Sequence, residues 1–198
     1  MKYIIIIIFF TLIPNCAKAQ SDNQIGVYMK SDSKNINNIT PSVVTFYKVN
    51  STLPAFGEKP SMSLYIDGEY ATNYTKSRQP EFFFFFPNDS SKSISPVDVS
   101  NMIRNYPFSY GKSPKDFYLI RLFKEGKKRA YRIEKEKFVS FYNNYKVFDI
   151  DTIPFTVIPI SSGSFKVILN SDLPIGDYGF IYKHPTPYTG IVYDFNIE

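Results

Sequence analysis

The feature that most constrains the fold is a repeated alternation of short apolar runs and turn residues. Runs of β-branched and aromatic residues are separated by Pro, Gly, Asn, Asp or Ser, and helix-period signals are nearly absent. This spacing is typical of a sandwich or barrel rather than of βαβ units. It predicts strands at Ile25–Lys30, Val43–Val49, Met62–Ile66, Glu81–Phe86, Asp116–Lys124, Arg129–Glu134, Phe155–Ile160, Ser164–Leu169, Tyr178–Lys183 and Ile191–Ile197.

Two of these runs indicate how the core is built. In Phe165–Leu169 the odd positions are apolar and the even positions mixed, which is the period-two pattern of a half-buried strand. Glu81–Phe86 has no alternation, and its five phenylalanines suit a central strand that is covered on both faces. An exposed aromatic platform for a sugar or a partner is the alternative. Because an exposed run of this kind would promote edge-to-edge aggregation, we predict that it is core.

One stretch predicts a helix. Ser95 is a suitable N-cap, Pro96 occupies the first helical position and Asp98 lies in the first turn, so a short helix over Pro96–Asn105 is expected. The polar stretch Ser31–Asn38 is expected to be a loop.

The most specific local signature is a Leu-x-x-Gly-x-Tyr turn formed by Leu173, Gly176 and Tyr178. It looks like the tyrosine corner of Greek-key sandwiches, in which the Tyr hydroxyl bonds to backbone a few residues upstream. A plain surface turn is the alternative. We therefore expect an all-β chain with at most one short helix, in which residues 80–198 form an immunoglobulin-like Greek-key β-sandwich. Residues 20–79 would be an N-terminal β segment packed on the same domain.

The first nineteen residues predict export. Lys2 precedes the apolar run Ile4–Ile13, and Ala17-Lys18-Ala19 supplies the small-x-small pattern of a signal-peptidase site between Ala19 and Gln20. The alternative of a permanent membrane anchor is opposed by length, since a spanning helix needs about 20 apolar residues.

Cys16 is the single cysteine of the chain, and a bacterial lipoprotein would be cleaved before it and lipidated on it. The preceding Ile13-Pro14-Asn15 fits that signal poorly. Cleavage after Ala19 leaves a cysteine-free chain, which excludes disulfides, thiol nucleophiles and thiolate metal sites. A lipidated Cys16 would instead attach the protein to a membrane.

The size and charge of the mature chain limit the kinds of fold and partner that the sequence predicts. The mature chain of 179 residues is long enough for one domain with a sizeable core, and it is rich in aromatics, with 16 Tyr and 19 Phe but no Trp in the full sequence. It carries 21 basic against 18 acidic residues, and so small a surplus predicts no nucleic-acid partner.

Several strand and turn blocks carry a resemblance to known proteins. The blocks are Pro80–Phe82, Ser113–Leu122, Lys127–Arg129, Leu173–Phe180 and Val192–Phe195, with a weaker similarity at Ile25–Tyr28. Together they resemble uncharacterised exported proteins of Bacteroidetes bacteria. The resemblance implies location and an all-β fold but no activity, because that group has none assigned. Residues 135–150 depart from it, being charged and aromatic where a Gly/Ser-rich stretch is expected.

No constellation of residues predicts catalysis, a metal site or a cofactor. The only histidine, His184, has no Gly-x-Ser-x-Gly nucleophile elbow to serve, since Ser162-Gly163-Ser164 is predicted to be a hairpin turn. Asp149-Ile150-Asp151 and Asp67-Gly68-Glu69 lack the spacing of a calcium loop. A glycoside hydrolase would need two acids close in space, and the acids that could meet are Glu58, Asp67, Glu69 and Glu81.

Two surface features remain. Lys124–Arg129 predicts a charged hairpin that either resists strand addition or binds an anionic partner. Asp151-Thr152-Ile153 resembles the acceptor of the Bacteroidetes O-glycosylation system, which makes Thr152 a modification site on that resemblance.

The sequence thus favours an exported, non-enzymatic binding or structural module, periplasmic or secreted, with a cell-envelope protein or a glycan as partner. A glycan-directed hydrolase and a surface assembly subunit that pairs through edge strands are the alternatives. If Cys16 is lipidated, the protein is anchored at the cell surface instead.

Overall fold

The computed structural model describes residues 25–30, 35–50, 61–87, 107–135, 145–147, 152–183 and 190–198. These residues are mostly strand, with residues 107–110 helical and Pro114–Asp116 in a 3₁₀ turn, so the all-β expectation is confirmed. The predicted helix Pro96–Asn105 and the export signal lie outside the described residues. The strands are β1 Gly26–Lys30, β2 Ile36–Asn38, β3 Ser42–Asn50, β4 Ser61–Asp67, β5 Tyr74–Thr75, β6 Phe82–Phe85, β7 Phe117–Arg121, β8 Phe123–Glu125, β9 Lys128–Lys135, β10 Tyr145–Val147, β11 Thr152–Ile153, β12 Phe155–Ser161, β13 Ser164–Leu169, β14 Gly176–Tyr182 and β15 Ile191–Ile197.

The strands form two sheets that are almost wholly antiparallel. The five-stranded sheet has the order β12-β13-β6-β1-β2, and the larger sheet has the order β10-β9-β4-β3-β15-β14-β7-β11, with β5 beside β15 and β8 beside β9. Strands from before residue 80 enter both sheets, since β1 lies between β6 and β2 and β3 lies between β15 and β4. The N-terminal segment is therefore built into the same two sheets as the rest of the chain.

The Phe tract lies at the centre of the five-stranded sheet, as its lack of alternation predicts. All four residues of β6 are buried, with β1 and β13 as its neighbours. Phe82 and Phe84 face the core between the sheets, where each packs edge-on against Phe180 of β14 at 4.9 and 5.1 Å between ring centres. Such aromatic pairs stabilise a core beyond the area they bury.

The larger sheet is covered on both faces where β14 and β15 run. Alternate residues of β15, from Ile191 to Ile197, enter the core between the sheets. Val192 on the opposite face joins a second core with Leu64 of β4 and Tyr131 of β9. The sheet therefore curls so that β4 and β9 pack over the back of its centre.

Most strand and turn predictions are confirmed, including the bounds of β13 and β15. The two predicted hairpin turns join β8 to β9 and β12 to β13, and each contains a glycine at positive φ, Gly126 at 63° and Gly163 at 71°. The loop expected over Ser31–Asn38 is wrong at its end, because Ile36–Asn38 pairs with β1 through its backbone. The other strands that sequence reasoning missed are equally short: Tyr74–Thr75, Tyr145–Val147 and Thr152–Ile153.

Candidate functional site

The connection from β13 to β14 carries the chain from one sheet to the other, and it contains the predicted corner residues. The Tyr178 hydroxyl donates to the Pro174 carbonyl at 2.8 Å, which is the bond expected of a tyrosine corner. Leu173 is buried, and its backbone N–H donates to the Arg78 carbonyl at 2.8 Å. The Tyr178 ring also stacks on Phe195, with 5.7 Å between ring centres. Both the hydrogen bond and the ring contact therefore fix the start of β14. Burial raises the pKa of Tyr178, while the nearby arginines oppose that rise.

Gly176 opens β14 at a φ of 150°, a conformation that side-chain-bearing residues rarely adopt. A Cβ at this position would lie 3.5 Å from Nη2 and 3.6 Å from Nε of Arg121. Arg121 ends the neighbouring strand β7, and its Nη2 donates to the Ile175 carbonyl at 3.4 Å. The corner therefore brings a guanidinium close over the backbone at the start of β14.

On the back of β14 and β15 lies a buried strip of polar residues. Arg129 of β9 forms an ion pair with Asp194 of β15, and both residues are almost completely buried. Arg129 also donates to the carbonyls of Gly68 and Asp67 at 3.1 and 3.0 Å. The second Asp194 oxygen accepts from the Ser42 hydroxyl at 2.9 Å, so both carboxylate oxygens are bonded. The pair joins β3, β9 and β15.

Asp177 extends this strip towards the surface. Its Oδ1 accepts from the Ala71 backbone N–H and from the Asn196 side chain, each at 3.0 Å. Its Oδ2 is buried and has no hydrogen-bond partner. Burial lowers the pKa of Arg129, and the charge of Asp177 opposes that lowering. Asp177 is thus a buried acid with one acceptor position open.

Asp177 and Asn196 also form part of the wall of an open cleft of about 860 Å³. Its size falls in the range typical of ligand-binding sites. Tyr70 and Ile175, each more than half exposed, contribute apolar surface to the cleft. The Lys124 ammonium sits 3.3 Å from the centre of the Tyr70 ring and holds one face of it. The full lining is Tyr70, Arg121, Leu122, Phe123, Lys124, Ile175, Gly176, Asp177, Asn196, Ile197 and Glu198.

A second cleft of about 470 Å³ adjoins the first, because Arg121 lines both. Thr152, Asp172 and Tyr178 are among the other residues of the second cleft. Arg121 therefore stands at the junction of two concavities. In the described part of the chain, no carboxylate forms an ion pair with it.

Of the acids proposed for glycoside hydrolysis, Asp67 and Glu69 lie at the larger sheet, whereas Glu81 lies on the five-stranded sheet. Asp67 and Glu69 pair with lysines of the larger sheet, Asp67 with Lys128 at 2.9 Å. Glu81 bonds Lys30 and Lys166 at 2.8 and 2.6 Å on the five-stranded sheet. Burial acts to raise the pKa of Glu81, but the two lysine bonds outweigh it and hold that pKa below its usual value. Glu58 lies outside the described residues.

Of the predicted site residues not yet discussed, the structure describes Thr152. Thr152 is half-buried in β11, where it pairs with Ile120 of β7. Cys16, Ala19, Gln20, His184 and Asp149–Asp151 lie outside the described residues. Among the residues that the structure places, no group of three or more His, Cys, Asp or Glu side chains could hold a metal ion.

Sequence reasoning placed Arg129 on a charged surface hairpin, and this is wrong because Arg129 is 2 % exposed. The signal was present in the strand period. Arg129 alternates with Tyr131 and Ile133, whose side chains face the second core, while Lys128 and Arg132 are more exposed on the other face. The buried acids Asp177 and Asp194 were also missed.

No family model matches the chain, and neither the curated proteins nor the solved structures gave a match. In the described residues, no helix is long and apolar enough to cross a membrane.

Proposed function

We propose that this protein is an exported, non-enzymatic binding module whose ligand occupies the cleft beside Asp177, and that the ligand is a cell-envelope glycan. The observation that carries the proposal is the composition of that cleft. Exposed aromatic and aliphatic side chains, Tyr70 and Ile175, stand beside polar groups held on strands, Arg121 and Asn196. Sugars present both apolar ring faces and hydroxyl groups, so this combination suits them. Sites built on strands also hold their donors and acceptors in fixed positions.

Hydrolysis is the weaker proposal for the same cleft. Two acids line it, Asp177 and Glu198. Asp177 is 2 % exposed and its Oδ1 already accepts two hydrogen bonds, which leaves Glu198 as the exposed acid of the cleft. A glycosidase needs two carboxyl groups that reach the scissile bond.

The proposed architecture for this module is an immunoglobulin-like Greek-key sandwich of an exported Bacteroidetes-type protein. The tyrosine hydroxyl bond and the passage from β13 to β14 between the sheets support it. The export signal ending at Ala19 is the basis for the location.

The test is a screen of purified mature protein against envelope glycans, followed by calorimetry on any binder. Tyr70→Ala should weaken binding by about tenfold, because one stacking face is worth roughly 1 kcal/mol or more. Tyr110→Ala is the matched control, since Tyr110 is equally exposed but does not line the cleft. If no glycan binds, or if the two variants behave alike, the proposed function is wrong.

A second proposal, assembly through edge strands, is favoured by β3. Val43, Phe46, Tyr47 and Val49 are each 43 to 53 % exposed. β3 pairs with β15 only at Ser42 and Val43, and in the described part of the chain no strand lies along that side of its later residues. A strand that has exposed apolar side chains, and that has one side unpaired by the strands described, can accept another strand.

The occupant proposed for this edge is a second copy of the chain, paired antiparallel through β3. A two-fold register with Tyr47 opposite itself places Phe46 opposite Lys48, a favourable cation–aromatic pair on each side. The register one step on would oppose Lys48 to itself and is disfavoured by charge. Sedimentation should show a dimer at high concentration that Tyr47→Lys abolishes. A monomer at every concentration would contradict this second proposal.

A further inference from the structure

We propose that the ligand of the cleft is an acidic carbohydrate, and that Arg121 binds its carboxylate. This inference rests on the proposed binding function and adds the charge class of the ligand and the residue that selects it. Three features of Arg121 support it: its unused hydrogen-bond donors, its position between two clefts and the other charges of the cleft.

Arg121 has donors to spare. A guanidinium carries five N–H groups in a planar fork that matches a carboxylate. Among the described residues, its side chain makes one hydrogen bond, from Nη2 to the Ile175 carbonyl at 3.4 Å. The side chain is exposed and lines both clefts, so a ligand in either can reach it.

Gly176 lies beneath this guanidinium at the start of β14. A Cβ at Gly176 would be 3.5 Å from Nη2, an ordinary van der Waals contact, and its φ of 150° suits glycine. The Ile175 carbonyl, from the same segment, accepts from Nη2 at 3.4 Å. This hydrogen bond favours one placement of the guanidinium, and a group that is already placed loses less entropy when it binds.

Lys124 is the second cation of the cleft, and it has two partners. Its ammonium is 3.9 Å from a Glu69 oxygen and lies 3.3 Å from the centre of the Tyr70 ring. Among the described residues Arg121 has no acid partner, so it is the cation of the cleft that an incoming anion would not have to take from a carboxylate.

The acids of the cleft lie away from Arg121 or are already bonded. Asp177 is 2 % exposed, and its Oδ1 accepts two hydrogen bonds. Glu198 follows β15, and its backbone N–H donates to the carbonyl of Thr75 in β5, whereas Arg121 is on β7. β15 and β7 flank β14, so the backbones that carry these two charges are about 10 Å apart. The cleft is thus cationic at its β7 side and acidic at its β5 side, which orients a ligand whose anion meets β7.

The experiment is calorimetric titration of the full mature protein with trigalacturonic acid and with its carboxyl-reduced neutral counterpart. We expect the acidic sugar to bind about tenfold more tightly than the neutral one, which corresponds to about 1.4 kcal/mol. Arg121→Met should remove this preference, so that the acidic and the neutral sugar then bind with equal affinity. Arg121→Lys should restore it only in part, because an ammonium cannot form the paired bonds of the fork. Lys127→Met is the control, since Lys127 is exposed and lines neither cleft.

The outcomes separate this inference from the proposed function. Equal binding of both sugars, or an acidic preference that survives Arg121→Met, overturns the inference while the binding module stands. Failure of both sugars, together with failure of the wider glycan screen, overturns the proposed function. Inorganic phosphate is the third probe, and if it displaces the acidic sugar at equal affinity, the site is a general anion site and the sugar assignment is wrong. Unchanged circular dichroism and melting of each Arg121 variant shows that any loss is not a loss of fold.

Discussion

Replacing Arg129 by Met should destabilise the protein by about 3 to 5 kcal/mol, the cost typical of leaving one charge of a buried ion pair alone. The structure places the cost in that range because Asp194 is fully buried and would keep only the Ser42 hydroxyl as a partner. The carbonyls of Asp67 and Gly68 would also lose their donor. Since a domain of this size is stable by about 5 to 15 kcal/mol, the variant should still fold.

The assay is urea unfolding followed by circular dichroism, with the free energy compared at equal m-value. Asp194→Asn should cost a similar amount, and the double variant should cost much less than the sum of the two, because neither charge is then left alone. Arg129→Lys keeps the charge and should lose less than Met. Lys128→Met, which breaks the neighbouring exposed pair with Asp67, is the matched control and should have only a small effect. A loss below about 1 kcal/mol for Arg129→Met, or strictly additive single variants, would refute a buried pair that acts as a unit.

Three further predictions follow from the same contacts. Tyr178→Phe removes the hydrogen bond to Pro174 and should lower the free energy of unfolding in urea by about 1 kcal/mol. Tyr131→Phe removes a buried hydroxyl that has no hydrogen-bond partner, so it should leave stability unchanged or raise it. The reverse order of the two effects would contradict the hydrogen-bond assignment. Phe84→Ala should cost about 3 to 5 kcal/mol because it empties the centre of the core, and a loss under 1 kcal/mol would mean that the Phe tract is not core. The pKa of Glu81 in the folded protein lies below its usual 4.5, so Glu81 stabilises the fold above that pH and loses this effect as the pH falls through the folded value. The difference in stability between wild type and Glu81→Gln should therefore shrink in acid. A difference that stays constant with pH would argue against the lysine bonds.

Strands could be predicted where the side-chain pattern and the burial agree. β13 alternates because one side faces the core, with Val167 and Leu169 buried, and the Phe tract does not alternate because both of its sides are covered. Both patterns are set by apolar burial, which leaves a record along the strand itself in the order of apolar and polar residues. The missed strands contain only two or three residues, and no period can be measured over so few positions. These short strands form by backbone hydrogen bonds to neighbouring strands, and those neighbours come from other parts of the chain.

The buried charges show a different limit. Arg129 follows two lysines, and composition alone places such a run at the surface. Its phase in the strand places it on the side of Tyr131 and Ile133, towards the second core. The position of a residue in the alternation of a strand determines the face on which its side chain lies. It does not show whether that face is covered, since the covering strands come from elsewhere in the chain. The partner acid, Asp194, is 65 residues away and carries no local signal of the pairing.

The cleft could not be predicted for the same reason, and its construction explains why the tyrosine corner is its most informative feature. Its walls come from a turn after β4, from β7 and β8, from the start of β14 and from the end of β15. Only the Leu173–Tyr178 segment among these has a recognisable pattern, and that pattern was predicted for architecture alone. Gly176 belongs to the corner, and the guanidinium of Arg121 lies beside it. An added Cβ would touch that guanidinium only at 3.5 Å, so a Gly176→Ala variant would act on the junction of the two clefts through backbone strain at a φ of 150° and not through a steric clash. Loss of acidic-sugar preference in that variant, with neutral binding retained, would link the corner directly to the proposed site.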